Sequence, residues 1–345
     1  MRALTVKPGV KRSVALTSMP DPNPSEGPVL VRSLVIGLCG TDVEIVDAQL
    51  GQAPLGAERL VLGHESLGRV IASGDASLTP GDLVVGFVRR PDPVPCPACA
   101  VGEWDMCRNG QYTSRGITRL HGFAREWWRC EADELIRINP SLADLGVLVE
   151  PMSVVMKAWE QIERIGLRSY FKPRVAAITG AGTIGLLAAL GGVQRGMDVH
   201  VFDLATSGPK PELVAALGAH YHSGPITGMT PPDIIIECTG AAQAIADVLM
   251  LGNPACITCL VGMSSKEASV PLDVSEFNQR TVRRNGIVFG SVNANRRHYE
   301  QAESQLTSAD PKWLSRLLSR RVALDDFAEA LNRRPADIKV IIDMA

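Results

Sequence analysis

Val175-Ala176-Ala177-Ile178-Thr179-Gly180-Ala181-Gly182-Thr183-Ile184-Gly185 is an apolar strand that runs into a glycine turn. Gly180, Gly182 and Gly185 stand at the spacing of a dinucleotide-binding turn, and small residues continue through Gln194 as a helix. Such glycines serve a tight turn, a close approach of backbone to pyrophosphate, and the packing of helix on sheet. Asp203 ends the next strand, Val199-His200-Val201-Phe202-Asp203, where a carboxylate would accept hydrogen bonds from ribose hydroxyls and repel a 2′-phosphate. No arginine lies between Leu204 and Pro209, and Lys210 is the nearest cation. NAD is therefore the expected cofactor, with NADP left open to an Arg or Lys that folds back. Thr183, Ile184, Thr239 and Asn293 complete the expected cofactor contacts.

Outward from this turn the strand–helix alternation continues through Ile234-Ile235-Ile236-Glu237, Ala255 to Val261 and Ile287-Val288-Phe289-Gly290, which predicts a doubly wound parallel sheet. Upstream, the chain reads as short strands (Val29 to Arg32, Leu83 to Phe87) punctuated by turns such as Thr79-Pro80-Gly81-Asp82, a β-rich, barrel-like pattern. From Pro151 the period changes: Val155, Ala158, Trp159 and Ile162 mark one face of a helix. Helices are expected at His298 to Leu306 and near Trp313 to Leu318. The last strand, from Lys339 to Ile342, is expected to return to the first domain. The expected domains are 1–155 with 295–345, and 156–294.

A chain of 345 residues favours two domains over one core. Its net charge of -2, without a basic cluster, gives no footprint for nucleic acid. The N-terminus lacks the apolar core of a signal peptide, and no apolar run reaches membrane-spanning length. A cytoplasmic protein is expected, its eight cysteines serving as metal ligands and buried thiols rather than disulfides.

Three pieces in the first half carry chemistry: Cys39-Gly40-Thr41-Asp42, Gly63-His64-Glu65 and Glu150-Pro151. Thiolate, imidazole and carboxylate are ligand types that zinc takes, and three protein ligands with an open position describe a catalytic site. Thr41-Asp42-Val43-Glu44 also reads as a capping box, a reading preferred for Glu44 and compatible with a second role for Thr41. Cys256 and Cys259, in a buried strand, read as core, and Cys130 and Cys238 have no metal spacing.

The chain resembles the zinc-containing medium-chain alcohol dehydrogenases, and among them the glucose dehydrogenase branch typical of archaea. The resemblance runs nearly end to end, through GLCGTDVEIV at Gly37, VLGHESLGRV at Val61, GDLVVGFVRR at Gly81, HGFAREWW at His121, EPMSVVMKA at Glu150, GAGTIG at Gly180 and VNANRRHY at Val292. It implies a GroES-like catalytic domain beside a Rossmann domain, with Cys39, His64 and Glu150 on a catalytic zinc. Glu65 would lie beside the metal as an alternate or water-mediated ligand. Zinc would act as a Lewis acid on a substrate hydroxyl, with Thr41 as first proton acceptor. Cys96, Cys99 and Cys107 match three cysteines of the family's structural zinc lobe; Pro93 stands where the fourth is usual, with Asp92 a substitute and Asp105 a poorer one, so the lobe is expected to be a Cys3Asp zinc site or, as the less favoured reading, an empty lobe held by packing. A homodimer or homotetramer is implied, with the apolar residues after Val261 as a candidate edge.

Against the glucose-oxidising relatives, three polar pocket positions read here as Val88, Ser114 and Val154, while His298 keeps the family's pattern. A site without those hydrogen-bonding partners should bind free glucose poorly, unless Arg89, Arg115 or His121 compensates. The expected activity is zinc-dependent NAD(P) interconversion of a secondary alcohol (sugar-, deoxysugar- or cyclitol-like) and its carbonyl. The alternatives are an NADPH-dependent carbonyl reductase, a glucose 1-dehydrogenase, and a catalytically silent dinucleotide-binding redox sensor.

Overall fold

The computed structural model describes residues 1–264 and 269–344. The chain divides into two compact units, Met1–Ser153 with Asn293–Ala345, and Val154–Val292. In the second unit six parallel strands lie side by side in the order His220–Ser223, Asp198–Asp203, Val175–Thr179, Ile234–Glu237, Ile257–Leu260, Ile287–Gly290. The earliest strand is thus central and the order reverses on either side of it, the doubly wound arrangement expected from the alternation. Cys256 and Cys259 are core, and burial pushes both thiols up to about 12.

The first unit is built around the long strand Val29–Leu38. The sheet order is Leu135–Arg137, Leu83–Gly86, Glu65–Ala72, Val29–Leu38, Val340–Asp343, Arg320–Ala323, with Trp127–Cys130 also paired to the central strand. The C-terminal strand is therefore inserted next to the central one, and there its Val-Ile-Ile run is buried. Beneath the sheet lies an apolar cluster that includes Leu4, Ile36, Leu62, Phe123 and Trp128. The helices after Asn293 span Arg296–Thr307 and Pro311–Leu317.

Glu150 enters on the first turn of helix Val149–Gly166, whose predicted face of Val155, Ala158, Trp159 and Ile162 is buried. Among the described residues no helix is long and apolar enough to cross a membrane. The segment after Val261 expected to form an association edge includes residues 265–268, outside the described residues.

Candidate active site

Strand register brings the distant pieces together. Val29–Leu38 pairs antiparallel with Glu65–Ala72 so that Gly37 faces Glu65. Cys39, just past the end of one strand, thereby meets His64, just before the start of the other, with Sγ and Nε2 3.0 Å apart. The S and N donors and the Glu65 carboxylate all lie within 4.8 Å of one another. A Cβ on Gly37 would stand 2.1 Å from Glu65 Oε2, so only glycine leaves room for this carboxylate.

The local backbone corrects one expectation. The helix begins at Gly40, and its cap is Cys39, not Thr41. The Cys39 thiol accepts the Thr41 N–H at 3.3 Å, and the Asp42 carboxylate accepts the Cys39 N–H at 3.0 Å. Cys39 keeps the extended backbone of the preceding strand, and this moves the capping box two residues upstream of Thr41 and Glu44.

Asp42 has a second task that the sequence reading did not assign. Its carboxylate lies 3.4 Å from Nδ1 of His64, an ion-pair separation, while Nε2 faces the thiol. A carboxylate behind the distal ring nitrogen is the usual way of orienting a metal-binding imidazole. Burial opposes charge on His64, but Cys39 and Asp42 outweigh it and hold the imidazole well above its ordinary range.

The other missed residue is Lys339. Val340 pairs with Leu38, so the residue before it arrives at the same strand end. Its Nζ lies 2.6 and 2.5 Å from the two Glu65 oxygens and 3.1 Å from the Leu38 carbonyl, with both side chains 2% exposed. Glu150, buried on its helix, is outside the close group of Cys39, His64 and Glu65 but interacts electrostatically with His64 and Glu65. Burial first, then the Glu65 charge, pushes its carboxyl up to about 7 against the pull of His64.

A second cluster joins Cys96, Cys99 and Cys107 within 4.8 Å. Backbone N–H groups of Arg108 and Cys99 hold the Cys96 thiol down to about 6, whereas burial pushes Cys99 up to about 11. The Asp92 carboxylate is not in this group but is linked to it through Asn109: it accepts the Val94 N–H at 2.9 Å and the Asn109 amide, whose oxygen accepts the Cys107 thiol at 3.0 Å. Asp105 bonds Asn295 at 2.9 Å.

The glycine turn lies in the second unit, between strand Val175–Thr179 and helix Thr183–Gln194. Gly180 has φ +87°, in the left-handed region. A Cβ on Gly185 would stand 1.7 Å from the Gly180 carbonyl, whereas one on Gly182 would meet nothing within 4 Å. Gly182 caps helix Thr183–Gln194 without a side-chain hydrogen bond, so the turn containing Thr183 and Ile184 lies at a helix N-terminus, where the macrodipole favours an anion. Thr239 packs against Gly180. Asp203 accepts the Ala181 and Ala205 N–H groups and binds Lys210 at 3.1 and 3.0 Å. Burial opposes ionisation of Asp203, but these contacts lower its pKa.

The remaining expected residues are placed as follows. Val88 and Ser114 are buried, Val88 N–H donating to the Tyr299 hydroxyl at 3.4 Å. Val154 follows Glu150 by one turn of the same helix. His298 is fully buried, its Nδ1 accepting the Asn295 N–H at 3.1 Å. Asn293 has φ +63° and accepts the Ala294 N–H through its own side chain.

Two family models cover nearly the whole chain: an alcohol dehydrogenase GroES-like domain matches residues 25–140, and a glucose dehydrogenase C-terminus matches residues 143–344. The chain belongs to the zinc-containing medium-chain alcohol dehydrogenases, in the glucose dehydrogenase branch, and is an oxidoreductase. Glucose 1-dehydrogenase of Methanocella arvoryzae is 37% identical over 100% of this chain and 99% of its own. That of Thermoproteus tenax is 36% identical over the same shares, 100% and 99%. The structure of Haloferax mediterranei glucose dehydrogenase in complex with NADP, Zn and gluconolactone superposes with a TM-score of 0.93, at 30% identity and covering 100% and 99% of the two chains.

Proposed function

We propose that the protein oxidises a secondary alcohol of a sugar-like substrate to its carbonyl, transferring hydride to NAD(P), with zinc held by Cys39, His64 and Glu150. The observation that carries this reading is the donor set: the half-buried Cys39 thiol 3.0 Å from a buried imidazole oriented by Asp42, the Glu65 carboxylate within 4.8 Å of both, and the buried Glu150 carboxyl in electrostatic reach of His64. These residues fit a zinc ion by donor type, and a cation would relieve the cost that burial imposes on the Glu150 charge. Zinc bound there would supply Lewis acidity toward the substrate hydroxyl. Thr41 would take the hydroxyl proton, Asp42 would hold the His64 ring, and Lys339 would hold the Glu65 carboxylate in place beside the ion. Cys96, Cys99 and Cys107 suit a separate structural zinc, with Asp92 the nearby carboxylate in sequence and Asn109 its present partner.

For the substrate, we infer an alcohol with fewer hydroxyls than glucose. The three residues that could have compensated for Val88, Ser114 and Val154 are engaged elsewhere. Arg89 lies 3.7 Å over the Tyr112 ring and bonds the Asp105 carbonyl. Arg115 bonds the His121 and Arg129 carbonyls. His121 accepts the Val61 N–H, and burial together with Arg125 pushes it down to about 4. Glucose itself is the second reading, favoured by the relatives' activity. Oxidation rates across glucose, deoxysugars, cyclitols and simple secondary alcohols, followed by NADH absorbance, distinguish the two. The expected result is a kcat/KM for glucose at least about tenfold below the best substrate, the loss of one good polar contact. Glucose as the best substrate would refute this inference. Run with both cofactors, the same assay should favour NAD, because Lys210 is held by Asp203; higher kcat/KM with NADP would reverse that expectation.

A further inference from the structure

Half of the chain's six histidines stand on the edge of the parallel sheet, far in sequence from the candidate active site. His200 is on strand Asp198–Asp203, and His220 and His222 are on the edge strand His220–Ser223. Register sets His200 opposite His220 and Phe202 opposite His222, so alternation places Asp198, His200, Phe202, His220 and His222 on one face. The rings form a ladder. His200 stacks on His220 at 4.9 Å and on His222 at 5.1 Å, and His222 stacks on the buried Phe202 at 4.5 Å.

Two imidazole nitrogens converge on one carboxylate at the open end of this ladder. His200 Nε2 is 3.4 Å from Asp198 Oδ2, and His220 Nε2 is 3.2 Å from Asp198 Oδ1. The three ligand atoms lie within 4.8 Å of one another. On the far side of the His200 ring, Nδ1 lies 2.8 Å from His222 Nε2. If His200 donates that bond, its Nε2 is left with a lone pair facing Asp198 and His220.

We propose that Asp198, His200 and His220 form a zinc site that bridges the two strands, with His222 as the positioning residue for His200. Two nitrogens and one oxygen, with room for water as fourth ligand, make a common zinc donor set. Bonds of about 2.1 Å require the ligand atoms to draw closer. The His220 side chain is 62% exposed, so solvent rather than packed protein borders it on the outer side. Simple ion pairing is a weaker account of the arrangement, because exposed imidazolium–carboxylate pairs contribute little. A bound ion would tie the edge strand to its neighbour at an otherwise open rim of the sheet.

The test counts zinc per chain in full-length protein dialysed against micromolar zinc, comparing wild type with His220→Gln and His222→Phe. The expected result is one zinc fewer in His220→Gln, and in His222→Phe an affinity weakened by roughly tenfold or more, as for lost outer partners of metal-bound histidines. Alcohol oxidation should be unchanged in both, so failure here is separable from failure of the active-site reading. In cobalt-loaded protein the ion lost with His220→Gln should carry no thiolate charge-transfer absorption, unlike one bound by Cys39 or by Cys96, Cys99 and Cys107. Equal zinc in wild type and His220→Gln, or loss of a thiolate band in that variant, overturns the proposal.

Discussion

Replacing Cys39 by serine is expected to empty the candidate catalytic centre and lower kcat by about a thousandfold. Lewis-acid assistance amounts to several kcal/mol, and each factor of ten in rate is about 1.4 kcal/mol. The thiol is the soft donor of the set, and a serine hydroxyl at that place is protonated near neutral pH and a poor zinc ligand. Serine can still cap the helix, since its oxygen accepts the Thr41 N–H as the sulfur does. The variant should therefore fold, and its thermal transition should change far less than its activity. Zinc content and turnover measured on one preparation check this. Undiminished turnover in a variant lacking one zinc would end the catalytic-metal reading.

Lys339→Met is expected to destabilise the first compact unit by about 3–5 kcal/mol, because it leaves the Glu65 carboxylate buried without its counter-charge. For a unit of this size the melting temperature should fall by roughly 10 °C. Adding Glu65→Gln should recover much of the loss by removing the stranded charge, a non-additivity that a double-mutant cycle reads directly. A Lys339→Met variant that melts within about a degree of wild type would show that the pair contributes little to stability.

The nucleotide unit was legible because its signals are local. A glycine turn, an acidic strand end and alternating apolar runs sit within short stretches, and each was read at its observed place. The metal centre is different. Cys39 and His64 could be picked out by residue type, but their meeting depends on the register of two strands. Lys339 carried one faint signal, a lone cation leading an apolar terminal strand, and nothing local said that it would reach Glu65. The capping box was misplaced for a related reason: Ser/Thr patterns favour Thr41, whereas the strand's extended backbone continues through Cys39 and makes its sulfur the cap. Substrate residues are the least legible, since Arg89, Arg115 and His121 are polar in sequence yet already engaged in the fold.

The position of the strand Val340–Asp343 beside Val29–Leu38 also bears on biosynthesis. Cys39, His64, Glu65 and Glu150 emerge from the ribosome well before Lys339, with the whole nucleotide-binding segment in between. Until that last strand is inserted, Glu65 has no ammonium partner and the sheet around the centre lacks one of its strands. Productive metal loading should therefore be a late, post-translational event. A nascent chain stalled before Arg320 is expected to lose zinc to a mild chelator that the completed chain withstands; equal retention by both would show that the centre matures while the chain is still being made.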